Sequence, residues 1–353
     1  MKPTLHLNSL PPSTQPNDES HNAQSQPITV ASDSTTYGVL NQLPSGNMPY
    51  RIGIHAAQGI RSTMEDTHAF AFDFDSVRGQ GYFAVFDGHG NKNVSEWCGA
   101  NFHKVLLETI HDSANSSPND IMKDAFRRAD EKLEKVSEDH VEWCDSGSTA
   151  VVAFLRYENE QGSQNAFETS SIKRIPESLG SSISIPGAGL LKEPSPGARR
   201  VLYCANAGDA RAVMCRNGVA TRLTQDHKAS DENEKARIRQ AGGIVLRGRV
   251  LGALAVSRSL GDHVRYEGLR LKDYVIGTPY TSRTELKEDD EFCIIACDGL
   301  WDVITDQQAV DMIRRQDDVQ KASETLVNFA LQNEYLLSRD NVTVMVVRFA
   351  PAP

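Results

Sequence analysis

Residues 292–302 have the sequence FCIIACDGLWD, in which an apolar run leads directly into two carboxylates, Asp298 and Asp302. The same arrangement occurs twice more, with FAVF before Asp87 and LYCANA before Asp209. Each apolar run has the length and composition of a buried strand. A carboxylate at the end of such a strand is desolvated and repelled by its neighbours, which costs free energy. Divalent cations bound among the carboxylates would offset this cost.

Two further short segments, RSTMED and SRDN, add Glu65, Asp66 and Asp340 to this set of carboxylates. The ligand set consists of oxygens, with no Cys or His counted beside them. Such a set favours Mg²⁺ or Mn²⁺ over Zn²⁺. The pattern therefore predicts a metal-dependent hydrolase.

Strand-like segments outnumber helical ones. Apolar alternation or short apolar runs predict strands at residues 50–59, 66–74, 81–86, 148–157, 251–260, 274–277 and 341–349, and from residue 200 onward. The Asn217-Gly218 pair predicts a hairpin turn. Because hairpin-type connections dominate, we expect antiparallel sheets.

Helices are predicted where apolar residues recur at helical spacing. Asn91 is expected to cap the first helix, whose apolar stripe extends from Val94 to Ile110. Thr305 and Gln308 form a capping box that starts another helix at residue 306. Further helices are expected at about 118–136, 231–241 and 319–331. The helices thus fall in groups between groups of strands.

Composition and charge exclude several classes of partner. The chain of 353 residues has a formal net charge of −10 and a pI near 5.5. Nucleic-acid and membrane binders favour a basic face, so neither partner is expected. No run of about 18 apolar residues occurs, so no transmembrane helix is predicted.

The cysteines indicate a reducing compartment. None of the six forms a CxxC pair or lies at zinc-ligand spacing, and Cys204, Cys293 and Cys297 fall in or at the end of apolar runs. They are expected to be buried free thiols. The N-terminus lacks the apolar core of a signal peptide. These features predict a cytoplasmic and nuclear location.

Two segments lack the pattern of a packed core. Residues 1–48 are rich in Ser, Thr, Pro, Asn and Gln and are predicted to be a disordered tail. Residues 158–198 are rich in Ser, Gly and Pro and form a low-complexity insert, either disordered or a regulatory surface. One domain is expected over residues 49–350, with the insert inside it.

Eight motifs in order resemble those of a known enzyme family. They are RSTMED, YFAVFDGHG, SGSTA, GDAR, LTQDHK, LAVSRSLGD, ACDGLWDV and SRDNVTVMVV, and they span about residues 50–349. The chain resembles the metal-dependent serine/threonine protein phosphatases (the PPM or type 2C family), and most of all the small fungal members. This resemblance implies an α-β-β-α sandwich, in which two packed antiparallel sheets are flanked by helix pairs.

The resemblance implies a role for each carboxylate. Asp87 would bridge two metal ions, helped by a backbone carbonyl at Gly88, while Glu65 would bind the second ion. Asp298 and Asp340 would bind the first ion. Two ions about 3.5–4 Å apart activate a bridging water as hydroxide, so no covalent intermediate is needed. Asp209 and Asp302, with Asp298, resemble a weaker third metal site, and Asp66 would hydrogen-bond to the ligands from behind.

Two cationic residues complete the expected active site. Arg61 would clamp the phosphate, because its planar fork matches two phosphate oxygens. His89 would act as the general acid that protonates the leaving serine or threonine oxygen.

The resemblance implies hydrolysis of phosphoserine and phosphothreonine in proteins. Phosphorylated proteins, including stress-pathway kinases, would be the partners, the chain would be a monomer, and the activity would damp a kinase signalling pathway. Two alternatives stay open at this point: a hydrolase of a small phosphorylated metabolite, and a catalytically silent scaffold. Silent relatives usually lose metal carboxylates, whereas this chain keeps Asp87, Asp298 and Asp340.

Overall fold

A computed structural model of the chain describes residues 29–30, 35–37, 49–113, 116–164, 192–266, 268–332 and 337–350. Its strands, in chain order, are β1 (Thr29–Val30), β2 (Thr35–Tyr37), β3 (Tyr50–Ala57), β4 (Thr67–Phe72), β5 (Gly81–Phe86), β6 (Gly88–His89), β7 (Gly147–Ser148), β8 (Ala150–Glu158), β9 (Arg199–Ala207), β10 (Arg211–Arg216), β11 (Val219–Arg222), β12 (Val245–Leu246), β13 (Arg249–Val250), β14 (Leu260–Gly261), β15 (Arg265–Tyr266), β16 (Leu269–Arg270), β17 (Tyr280–Glu285), β18 (Asp290–Ala296) and β19 (Val342–Phe349). Its α-helices are α1 (Asn93–Asp112), α2 (Pro118–Asp139), α3 (Glu232–Gln240), α4 (Asp298–Trp301), α5 (Asp306–Ile313) and α6 (Val319–Gln332).

The strands pair into two large antiparallel sheets. The first sheet has the order β1-β2-β3-β19-β18-β10-β11, and the second has the order β17-β9-β8-β5-β4. Their named ladders are all antiparallel, as the hairpin-type connections predict. In the part of the chain that the structure describes, no helix is both long and apolar enough to cross a membrane.

Strand β5 shows how the layers are stacked. Phe83 and Val85 pack between the two sheets, whereas Tyr82 and Phe86 face the opposite way, against α1 and α2. Successive side chains of a strand point to opposite faces, so a strand buried on both sides is apolar throughout. Helices α4, α5 and α6 cover the outer face of the first sheet in the same way. The predicted α-β-β-α sandwich is confirmed.

Two local turn predictions are confirmed. Asn217 and Gly218 have φ values of 47° and 77°, as a type I′ hairpin turn between β10 and β11 requires. Thr305 and Gln308 form the complete capping box of α5.

The predicted cap of α1 is wrong by one residue. The cap position belongs to Lys92, which makes no side-chain cap. The Asn91 side chain instead accepts a hydrogen bond from the Asn93 amide at 2.9 Å, within the turn that leads into the helix. A polar residue near a helix start thus marks the turn but does not fix its register.

The strands predicted at 251–260 and 274–277 do not form as such. This region has turns and isolated bridges, and only Leu260–Gly261 joins a ladder, with β7. Left-handed backbone at Arg247 and Leu251 (φ of 51° and 50°) interrupts extension. Its apolar residues instead fill a small separate core with Ile238 of α3.

Strand β17 was missed by the sequence patterns because it is the edge strand of the second sheet. Its sequence, YTSRTE, is polar, and its residues are only partly buried or exposed. An edge strand of this kind carries little of the apolar signal on which strand prediction depends.

The two segments predicted to lack a packed core are described only in part. In residues 1–48, β1 and β2 are an exception to the predicted disorder, because β2 pairs with β3. In the insert, Lys192 forms a bridge with Val77 and Gln164 donates to the Gln80 side chain at 2.7 Å. The rest of the tail and residues 165–191 lie outside the described residues.

Candidate metal centre

Asp87 lies directly after β5, where the buried strand ends between the two sheets. Burial raises the pKa of its carboxyl well above the ordinary value, and nearby carboxylates raise it further; these belong to Asp66, Asp298, Asp209 and Asp340. The backbone carbonyl of Asp87 accepts from the Thr149 amide at 2.8 Å, which fixes the strand end. The fold therefore collects carboxylates from five distant segments around one strand terminus.

Asp298 and Asp209 come from the ends of two neighbouring strands of the first sheet and its loops. Asp298 is the first residue of α4, immediately after β18, and Asp209 lies in the turn before β10. Burial raises the pKa of Asp298 well above its ordinary value, and the Asp209 charge adds to the effect. Burial also raises the pKa of Asp209 to about 6, against the opposing charge of Lys228.

Asp66 lies among these carboxylates with only one of its oxygens bonded. Oδ2 accepts from the Thr343 hydroxyl at 2.7 Å, whereas Oδ1 is buried without a hydrogen-bond partner. Burial raises the pKa of Asp66 to about 6. An orphaned carboxylate oxygen here fits an electropositive neighbour that the polypeptide does not itself supply.

The sequence-based view that no cysteine lies beside the ligands is wrong for Cys297. Its sulfur and one oxygen each of Asp66 and Asp87 lie within 4.8 Å of one another. Burial raises the pKa of the Cys297 thiol well above its ordinary value, and its sulfur accepts from the Thr343 amide at 3.1 Å. A neutral, hydrogen-bonded thiol is a poor ligand, so the preference for a hard cation stands.

Asp340 and Glu65 are brought together by Asn341, which sequence reasoning did not assign to the site. The Asn341 side chain accepts from the Glu65 amide at 2.8 Å and donates to the Gln58 and Thr63 carbonyls at 2.8 and 3.0 Å. Asn341 thereby ties the RSTMED loop to the loop that carries Asp340. Asn341 is part of the SRDN motif, and its position next to the Asp340 carboxylate is the only feature of the sequence that could have indicated a role at the site.

Gly88 is required by close packing. A Cβ at this position would collide with the Glu65 carbonyl oxygen and lie 2.7 Å from the Ser95 hydroxyl. The missing side chain lets the backbone after Asp87 approach the Glu65 loop. This close approach brings the backbone of Gly88 beside the loop that carries Glu65 and Asp66.

The donor set as a whole fits divalent cations. The carboxylates of the cluster repel one another electrostatically; they belong to Asp66, Asp87, Asp209, Asp298 and Asp340. Of the cations in the described residues, Arg61 is ion-paired with Asp340, and Lys228 with Asp302 and Asp209. Clustered carboxylates with so little compensating charge are what Mg²⁺ or Mn²⁺ neutralises.

Arg61 lies at the exposed rim of the carboxylate cluster. Its Nη2 donates to Asp340 Oδ2 at 2.6 Å, and its Nε donates to the Arg339 carbonyl at 3.1 Å. The side chain is about half exposed, with 52% of its surface accessible. The guanidinium is therefore anchored on one edge and open to a phosphate from solvent.

His89 has a partner that sequence reasoning missed. Its Nε2 is 2.9 Å from both carboxylate oxygens of Asp262, the last residue of the LAVSRSLGD motif. Burial opposes protonation of His89, but the charge of Asp262 outweighs it and raises the pKa of the imidazole. Asp262 itself is buried at a left-handed φ of 59° and accepts from the Ser259 hydroxyl. Such a costly conformation is typical of a functional site.

The predicted third metal site contains a cation from the chain. Lys228 Nζ lies 2.8 Å from Asp302 Oδ1 and 3.6 Å from Asp209 Oδ2. Asp302 is largely exposed, with 58% of its side chain accessible. The structure therefore places Asp302 beside Asp209 and Asp298, as predicted. Asp302 lies at the solvent-exposed edge of the cluster, however, and is ion-paired with Lys228.

Comparisons with known proteins identify the family. The sequence model of the family described as Protein phosphatase 2C matches residues 50–165 and 192–339. Protein phosphatase 2C homolog 1 of Schizosaccharomyces pombe (strain 972 / ATCC 24843) is 38% identical over 342 residues, 95% of this chain and 84% of that protein. Protein phosphatase 2C homolog 1 of Saccharomyces cerevisiae (strain ATCC 204508 / S288c) is 39% identical over 303 residues, 85% of this chain and 94% of that protein.

Solved structures show the same fold. The serine-threonine phosphatase 2C from Toxoplasma gondii aligns with a TM-score of 0.63 at 21% identity, covering 93% of this chain and 99% of that one. Family model, fungal relatives and fold agree, and this chain belongs to the protein phosphatase 2C family of metal-dependent protein serine/threonine phosphatases.

Proposed function

We propose that this chain hydrolyses phosphoserine and phosphothreonine in proteins at the carboxylate cluster, with two Mg²⁺ or Mn²⁺ ions held by Asp87, Glu65, Asp298 and Asp340 and by a backbone carbonyl at Gly88. The observation that carries the proposal is the convergence of these carboxylates at one end of the two sheets, where burial and mutual repulsion raise the pKa values of Asp87 and Asp298. The bound ions would supply the positive charge that activates water and offsets the charge of the phosphate.

The chain's own residues bind the phosphate and move a proton. Arg61, anchored by Asp340, offers its open edge to two phosphate oxygens. His89 donates a proton to the leaving serine or threonine oxygen, because an alkoxide is a poor leaving group. Asp262 holds the Nε2 side of the imidazole, so the proton for the leaving group comes from Nδ1.

A role for Asp209 and Asp302 in a weaker third ion site is a separate part of the proposal. Both lie beside Asp298, whose pKa they raise, and this proximity supports the assignment. An ion there would have to displace the Lys228 ammonium from Asp302. Asp66 would orient the neighbouring ligands through its contact with Thr343.

The cellular setting follows from the same proposal. Phosphorylated proteins are the substrates, stress-pathway kinases are among them, and the effect is to damp a kinase signalling pathway. A monomer in the cytoplasm and nucleus is proposed, with the free state of the six cysteines as support.

Chelation tests the proposal directly. After EDTA treatment and gel filtration, turnover of a phosphothreonine peptide should fall to background, and Mn²⁺ or Mg²⁺ should restore it, because the candidate ligands are hard oxygens. Asp87→Asn should stay inactive after the metal is restored and should remain folded by circular dichroism. Full activity after exhaustive chelation would overturn the proposal.

Substrate class is tested in the same assay. The metal-loaded protein should prefer phosphothreonine and phosphoserine peptides to small phosphorylated metabolites at equal concentration. The reverse preference would favour the metabolite hydrolase, and no turnover of either class would favour the silent scaffold.

A further inference from the structure

A second site lies at the opposite end of the second sheet from the carboxylate cluster. A cavity of about 740 Å³ opens there, between the C-terminal end of α1, the N-terminal end of α2 and the end of β8. Helix α1 begins four residues after His89 and has 20 residues. At about 1.5 Å per residue, it separates the two sites by roughly 30 Å.

Arg156 is the residue of this cavity that most favours a bound anion. The residue is 91% buried, its exposed fraction being 9%, and it lines the cavity. Its Nε is buried without a hydrogen-bond partner, and its nearest charged contact within the described residues is Nη1 to Glu158 Oε1, at 3.8 Å. A guanidinium has five N–H donors, and within the described residues that of Arg156 makes no hydrogen bond, so its Nη groups are available to an anion.

The carboxylate nearest to Arg156 is already engaged elsewhere. Glu158 accepts from the Tyr203 hydroxyl at 2.6 Å and from Arg283 at 3.0 Å. The positive charge of Arg156 is therefore undercompensated, and burial accordingly lowers its pKa. An anion in the adjacent cavity would supply the missing charge and would accept hydrogen bonds from the Nη groups of Arg156.

Other groups around the cavity add to the anion preference. Lys192 and His111 are exposed on its rim, and Ser117 and Pro118 at the start of α2 also line it. Asp75 also lines the cavity, where its carboxylate lies 2.7 Å from His111 Nε2 and its charge partly offsets that of Arg156. Lys192 is held in place through its backbone, whose carbonyl accepts from the Arg78 amide at 2.9 Å.

The apolar part of the cavity wall is formed by Ile110, Ile121 and Phe154, and serine and glutamine residues within 116–117 and 161–164 line much of the rest. A volume of this size lies in the range of small-molecule sites, which combine apolar walls with a few placed polar groups. We propose that the cavity binds a small organic phosphate monoester, with the phosphate on Arg156 and the body of the molecule against the apolar wall. This site is independent of the proposed catalysis at the metal centre.

The probe for the test is phenylphosphonate, which pairs a phosphate-like dianion with an apolar ring and whose C–P bond resists hydrolysis. Calorimetric titration of the full-length, Mg²⁺-loaded Arg61→Ala protein should reveal a binding site, because the phosphate clamp of the metal centre is removed there. Arg156→Met in the same background should weaken this binding by about tenfold or more, since a charge-assisted hydrogen bond is lost. Inorganic phosphate and neutral benzamide should each bind more weakly than phenylphosphonate.

Folding of the variants is controlled in two ways. Arg156→Met removes a buried, unpartnered charge, so its melting temperature should equal or exceed that of the parent. If it nevertheless unfolds, Lys192→Gln on the exposed rim carries the test and should weaken binding several-fold. The proposal is overturned if no phenylphosphonate site survives Arg61→Ala, if Arg156→Met and Lys192→Gln leave affinity unchanged, or if benzamide binds equally well.

Discussion

At the scale of single residues, the contacts of His89 constrain the chemistry most. Its Nε2 is hydrogen-bonded to Asp262, a residue 173 positions away along the chain, so the proposed proton transfer would have to use Nδ1. Arg61, in contrast, is anchored at the rim by Asp340. These contacts support the proposed roles of His89 in proton transfer and of Arg61 in holding the phosphate.

Substitution of each residue should separate these two roles. Arg61→Ala should raise KM most, since a clamp acts on bound phosphate as well as on the transition state. His89→Ala should lower kcat on a phosphothreonine peptide by about 10²–10⁴-fold. The loss should be much smaller with p-nitrophenyl phosphate, whose leaving group hardly needs a proton. Equal losses of kcat on both substrates would remove His89 from the acid role.

Asp262→Asn tests the partner of His89. The variant keeps the shape of the side chain but removes the charge that orients and stabilises the imidazolium. We expect kcat on the phosphothreonine peptide to fall by about 10–100-fold, the usual cost of losing such a supporting contact. Turnover of p-nitrophenyl phosphate should change little.

A matched control for Asp262→Asn is Asp273→Asn, on the same segment but exposed. It should leave both activities unchanged. A general fall in both activities for Asp262→Asn, accompanied by a lower melting temperature, would show a purely structural role for Asp262.

At the scale of elements, a buried carboxylate of α3 bonds this helix to the turn-rich region that follows it. Glu234 accepts hydrogen bonds from Arg258 at 2.6 Å, from the Ser257 hydroxyl at 2.7 Å and from Arg237 at 3.0 Å. Burial alone would raise its pKa, but the bonds from Arg258 and Ser257 outweigh burial and lower the pKa to about 2. This hydrogen-bond network stabilises the turn-rich region in which two strands were predicted but do not form.

The network predicts a pH dependence of stability. Because the folded pKa of Glu234 is depressed below the ordinary value of 4.5, its contribution is complete above pH 4.5 and is lost as the pH falls toward 2. Glu234→Gln should therefore lower the free energy of unfolding at pH 7 by about 3 kcal/mol. The difference from the parent should shrink steadily between pH 5 and pH 3.

Urea unfolding in EDTA at each pH measures this difference without a contribution from bound metal. Glu232→Gln, on the exposed side of the same helix, is the matched control and should show no such change. A gap between Glu234→Gln and the parent that is constant from pH 7 to pH 3 would contradict the assigned ionisation of Glu234.

At the scale of the whole molecule, the two proposed sites lie at opposite ends of the second sheet. The carboxylate cluster occupies one end, and the Arg156 cavity occupies the other, beside the two ends of the insert. Gln164 and Lys192 are both bonded to the loop before β5. Gln164 and Lys192, which the composition assigns to the insert, thus attach the insert to the fold.

These contacts predict different results for two deletions. Replacing residues 166–190 by a short Gly-Ser linker should leave turnover of a short phosphopeptide within a few-fold of the full chain, because no candidate ligand lies there. Deleting residues 160–197 also removes Gln164 and Lys192 and should lower the melting temperature. Loss of peptide turnover in the smaller deletion would mean that the insert completes the catalytic domain.

The sequence alone determined most of the elements that form and the chemistry that is present. Apolar periodicity records the burial of each element, so β5, α1 and β19 were predictable from their own residues. The capping box of α5 and the Asn217-Gly218 turn are equally local. The carboxylates at strand ends were visible because a charge after an apolar run is costly and therefore informative.

Tertiary structure alone decided which side chains meet. The contact of Asp262 with His89 spans 173 residues, and that of Asn341 with Glu65 spans 276. Neither leaves a local pattern, because a polar residue in a loop looks the same whether it is solvated or paired. The approach of Cys297 to Asp66, the pairing of Lys228 with Asp302 and the isolation of Arg156 arise in the same way. These contacts depend on how the two sheets and their helices pack. Packing brings together segments that are distant in sequence and share no local pattern.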